Sequence, residues 1–118
     1  MATRTAPSID HKAIERLREQ LAIGREEFAR IIGVDPSTEW RWRQGASVPR
    51  GIAQSRLVQF AELGELLRRV FDGPDLAREW IRTATPAFLG GRDHPLDVML
   101  AGRMDRVLAT LHFLAGGA

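Results

Sequence analysis

Apolar residues recur along this chain at spacings of three and four, and glycine or proline interrupts almost every such run. Ile14, Leu17 and Leu21 form the first stripe, with Ser8 or Asp10 placed to cap it. Gly24 interrupts that pattern. A second helix runs from Arg25 to Ile32, with Phe28, Ala29 and Ile32 on one face. Gly33 ends it, because glycine enters the left-handed region cheaply. Asp35-Pro36 reads as an N-cap and first helical residue, and Gly45 stops that helix after Gln44. Ala46 to Arg50 is a loop. One long helix follows from Gly51 to Phe71, with Leu57, Phe60, Leu63, Leu67 and Val70 as its inner stripe. Asp72-Gly73-Pro74 breaks it and starts another that ends near Arg82. Thr85-Pro86 opens a very short helix that stops at Gly90-Gly91. His94-Pro95 opens one that reaches Leu100. The last helix runs from Met104 to Ala115, with Met104, Val107, Leu108, Leu111 and Leu114 inward. No run alternates with period two, so no strand is expected and the fold class is all-α.

The chain has 118 residues, enough for one domain or two very small ones sharing a core. It lacks cysteine, which excludes disulfides and thiolate chemistry. Its apolar runs are too short to span a bilayer. Met-Ala-Thr-Arg-Thr-Ala-Pro-Ser has no apolar signal region, so a cytoplasmic location is expected. Net charge is only +2, but residues 1–60 carry +3 and residues 61–118 carry −1. Arg41, Arg43, Arg50 and Arg56 form a stretch without a single acid. Composition shifts near Asp72, which places a module boundary there and divides the chain into 1–72 and 73–118.

Two short helices that cross at a fixed angle need a small residue at the crossing, a glycine in the turn and an apolar plug after it. Ala29, Gly33 and Val34 supply these in order, and Trp42 fills a later core position. On these residues, Arg25 to Gly45 resembles the helix-turn-helix of Xre and lambda-repressor-like regulators, over roughly residues 10–70. The resemblance implies that Ser37, Thr38, Trp40, Arg41, Arg43 and Arg50 face a major groove, contacting phosphates and base edges. Glu39 departs from the pattern, standing where that family has Val or Ile in the core. Either Glu39 escapes to the edge, or the helix rolls so that Trp40 packs inside.

The second half carries Trp80-Ile81, Pro86, then Leu89-Gly90-Gly91-Arg92-Asp93-His94-Pro95-Leu96-Asp97-Val98-Met99, Gly102, Val107 and Leu111. This resembles the toxin-binding domain of Xre/MbcA/ParS-type antitoxins over residues 75–117. Two departures stand out: Asp93-His94 in place of a single residue, and Ala87 in place of Asn. Read physically, Gly90-Gly91 reverses the chain, Arg92 donates to helix-end carbonyls or to Asp97, and Trp80, Leu89 and Leu96 are core.

The resemblance implies an antitoxin of a type II system, with a RES-domain, NAD-consuming toxin as partner and a homodimer that represses its own promoter on double-stranded DNA. Arg92, Leu108, His112, Phe113, Leu114, Gly116 and Gly117 are the expected toxin-facing residues. The reason is that Leu108, Phe113 and Leu114 spread beyond one helical stripe, and the small tail after them fits a narrow cleft. Two alternatives stay open: a helix-turn-helix regulator without a toxin, and a protein-binding module that has lost DNA binding. His11, His94 and His112 make no metal-ligand spacing, and no nucleotide-binding or nucleophile motif occurs, so the reading is non-enzymatic, without cofactor and without membrane.

Overall fold

The computed structural model describes residues 9–86, 88 and 92–116. Seven helices order these residues: α1 His11–Gln20, α2 Arg25–Ile32, α3 Pro36–Arg43, α4 Gly51–Val70, α5 Pro74–Trp80, α6 Pro95–Leu100 and α7 Met104–Leu114. No strand occurs among the described residues. Asp10 is the α1 cap, accepting from the Ala13 N–H at 3.1 Å. Ser8, the alternative cap, lies outside the described residues, as do Ala87, Leu89, Gly90, Gly91 and Gly117. The very short helix expected between Pro86 and Gly91 therefore falls largely outside them as well.

The α1–α2 connection costs one strained residue. Ala22 adopts φ 55°, although an L side chain is disfavoured there. The turn is held by the Ile23 N–H to the Arg18 carbonyl at 3.0 Å and by Arg18 Nη1 to the Ile23 carbonyl at 2.7 Å. At the α2–α3 turn Gly33 takes φ 85°, and both Gly33 and Val34 donate to the Ala29 carbonyl. Ala29 is buried at the crossing as expected.

Helix α4 is the axis of the molecule. Its Leu57, Phe60, Leu63, Leu66 and Leu67 are all buried, and Phe60 meets Phe28 edge-on with centroids 5.0 Å apart. Leu66 belongs to this core although the inner stripe omitted it. Helix α7 lies along α4 and contributes Met104, Val107, Leu108 and Leu111. Leu114, expected inward, is 48% exposed, because it lies at the final residue of α7. Trp80 packs on Phe71 with centroids 5.4 Å apart, and both are half-buried at the α4–α5 corner. One contiguous apolar cluster contains residues from both sides of Asp72. At roughly 25 cal/mol per Å² of apolar area buried, that shared core is the main source of stability for both halves.

Candidate functional site

Two exposed faces carry the sequence-derived candidates. The first is built on α3. Pro36 sits at its first turn with Asp35 before it, and Gly45 closes it with φ 73°. Ser37, Trp40, Arg41, Arg43 and Arg50 are exposed, and Thr38 is half-buried. Arg41 donates to the Thr38 hydroxyl at 3.2 Å. Trp42 is half-buried against the core.

Neither expected fate of Glu39 is found. It is buried, at 4% exposure, while Trp40 stays 52% exposed. The reason is pairing. Arg43 Nε lies 2.8 Å from the Glu39 carboxylate, one helical turn on, and Arg25 Nη1 lies 4.0 Å away. A bound guanidinium offsets the several kcal/mol that an unpaired buried carboxylate would cost, so α3 need not roll. Arg25 also reaches Glu15 at 2.6 Å, and Glu15 holds Arg18 at 2.7 Å. The hydrogen bond from Arg18, reinforced by Arg25 against the opposing effect of burial, holds the Glu15 carboxyl down at about 2. A chain of alternating charge thus runs from α1 through α2 to α3.

This changes the reading of the arginine stretch. Arg43 is engaged with Glu39, and Arg56 donates to the Ile32 carbonyl at 3.2 Å, closing the end of α2. Arg41 and Arg50 are exposed, as Arg43 is, but make no ion pair among the described residues, and Val48 and Ile52, both 70% exposed, flank Arg50.

The second face lies at the end of α7. Phe113 is 73% exposed, and Leu114 stands beside it. His112 Nε2 lies 3.0 Å from the Glu62 carboxylate of α4, tying this end of α7 to the long helix. Gly116, at φ 88°, turns the chain after the helix. Leu108 is corrected here: at 6% exposure it is core, because it packs inward with Val107 and Leu111, and cannot present its side chain on this face. Arg92 is exposed. Asp97 pairs with His94 at 3.0 Å rather than with Arg92, since His94 is the cap residue of α6 and Asp97 lies three residues on in its first turn.

Phe88, N-terminal to α6, is 1% exposed and has the Arg106 guanidinium 5.7 Å from its ring centre. The Leu96 N–H bonds the Ile81 carbonyl at 2.8 Å, fastening the start of α6 to the end of α5.

Two surface arginines that bind backbone carbonyls far along the chain were not foreseen from the sequence. Arg82 donates to the Leu21 and Ala22 carbonyls at 2.7 and 2.8 Å, and Arg78 donates to the Gln20 carbonyl at 3.0 Å. They clamp α5 onto the end of α1. No local pattern marks an arginine whose acceptor is some sixty positions away.

The described residues thus define an all-α protein whose helices pack around one contiguous core along the long helix α4. A chain of the M. tuberculosis MbcT–MbcA toxin–antitoxin complex, known from its crystal structure, superposes on it with a TM-score of 0.65. The two sequences are 27% identical, and the match covers 94% of this chain and 97% of that one. The chain accordingly resembles the Xre/MbcA/ParS-type antitoxins in structure as well as in motif. No protein-family model matches the sequence, and no curated protein does. No helix among the described residues is long and apolar enough to cross a membrane.

Proposed function

We propose that this chain is the antitoxin of a type II toxin–antitoxin pair. It neutralises a RES-domain, NAD-consuming toxin by direct binding and carries no catalytic activity of its own. The observation that carries this reading is the match to a chain of a toxin–antitoxin complex over nearly the full length of both proteins. A shared helix-turn-helix alone would leave the second half unmatched. The toxin-facing surface is the end of α7, with His112, Phe113, Leu114, Gly116 and Gly117, together with Arg92. Phe113 supports it, since a phenyl ring 73% exposed beside a second large apolar residue is the kind of surface partners cover.

The second half of the proposal is autorepression. Residues 1–72 form the DNA-binding module and 73–118 the toxin-binding module. A homodimer binds its own promoter in the cytoplasm through Ser37, Thr38, Trp40, Arg41 and Arg50. Arg43, exposed on the same helix, joins these contacts and also holds Glu39 through its Nε.

Co-expression with the product of the adjacent reading frame tests the first half. Cells arrested by that protein resume growth when this chain is present, and the two purify together. Continued arrest with both proteins made in soluble form would refute the antitoxin reading and leave a regulator without a toxin.

A further inference from the structure

The structure leaves a large apolar side chain where a groove-facing helix is otherwise polar. Trp40 is 52% exposed in the middle of α3. Its neighbours at one-turn spacing are Ser37 before it and Arg43 and Gln44 after it, all exposed. The adjacent Arg41 and, beyond the loop, Arg50 add positive charge. Within α3 the carboxylate of Glu39 is buried against Arg43 and adds no exposed negative charge, so the exposed Asp35 at the helix cap is the one acid set against Arg41, Arg43 and Arg50 among the described residues 35–50. This face therefore suits a polyanion, with one aromatic ring at its centre.

We propose that Trp40 reads thymine. This rests on the DNA-binding half of the proposed function and specifies what that face selects. Among the base edges in a major groove, the C5-methyl of thymine is the one apolar group. The face of an indole, which has no donor or acceptor to offer, would leave hydrogen-bonding groups of the DNA dry and unpaired if laid against any other base edge. Against the methyl it buries apolar surface on both sides. Arg41 and Arg50 supply phosphate contacts that set register. Arg43 is a positioning residue: its bond to Glu39 fixes the roll of α3 that turns Trp40 outward.

The test uses the full-length chain and duplexes that it enriches from a random library. Each thymine in the enriched site is replaced singly by deoxyuridine, which removes only the methyl. The wild type loses affinity roughly fourfold at one thymine per half-site, the worth of one buried methyl group. Trp40→Ala binds the thymine and deoxyuridine probes equally, Trp40→Phe keeps the preference, and circular dichroism confirms that both variants are folded. Indifference of the wild type to every replacement overturns the proposal while DNA binding stands. A preference kept by Trp40→Ala does the same. Absence of enrichment and of any shift at low salt overturns the DNA-binding reading as well. Loss of toxin neutralisation in Trp40→Ala, with the thymine preference intact, makes the residue a protein contact and also overturns the proposal.

Discussion

A carboxylate removed from water must find a partner or surrender its charge, and Glu39 has found one in Arg43. The two residues are not equivalent. The Glu39 side chain is 6% exposed, whereas that of Arg43 is 30% exposed and has solvent as an alternative. Removing the base strands the acid, while removing the acid only releases the base. Arg43→Ala should therefore cost about 1–3 kcal/mol, and Glu39→Leu less than about 1 kcal/mol. Urea unfolding followed by circular dichroism measures both. The reverse order would mean that the pair does not hold α3. That Glu39 was an anomaly could be read from the sequence, because the turn glycine and Ala29 set the helix phase. Its resolution was legible in part: Arg43 follows Glu39 at the one-turn spacing of a helical ion pair, whereas Arg25 comes within 4.0 Å only because α2 and α3 cross.

At the scale of elements, the helices were legible because their ends are marked chemically. Asp10 caps α1, Gly33 ends α2, Pro36, Pro74 and Pro95 open α3, α5 and α6, and apolar periodicity fills what lies between. The fastening of one element to another was not legible, because it runs through arginine side chains to backbone carbonyls. Arg82 is the clearest case. Its two bonds reach the Leu21 and Ala22 carbonyls at the strained end of α1. Arg82→Ala should lower stability by about 1–3 kcal/mol, as expected for bonds from a charged donor. Arg68→Ala is the control. Its pair with Glu65 is exposed on both sides, so its loss should be worth less than about 1 kcal/mol. Thermal unfolding separates them, and equal effects would show that the clamp contributes nothing.

At the scale of the molecule, the two candidate faces are carried on one core. Helix α4 supports α7 along its length, and its first residues follow the loop that holds Arg50. Of the residues expected at the α7 face, Phe113 and Leu114 are exposed and Leu108 is core. The sequence could not separate these, because three apolar residues in one amphipathic helix do not reveal where its neighbour stops covering it. Calorimetric titration of the purified chain into the purified product of the adjacent reading frame measures the central claim most directly. Saturable binding is expected, with a dissociation constant in the nanomolar range typical of specific interfaces and weakened at least about tenfold by Phe113→Asp, which leaves the helical signal intact. Titration without heat of binding, confirmed by separate elution of the two proteins in gel filtration, would contradict it.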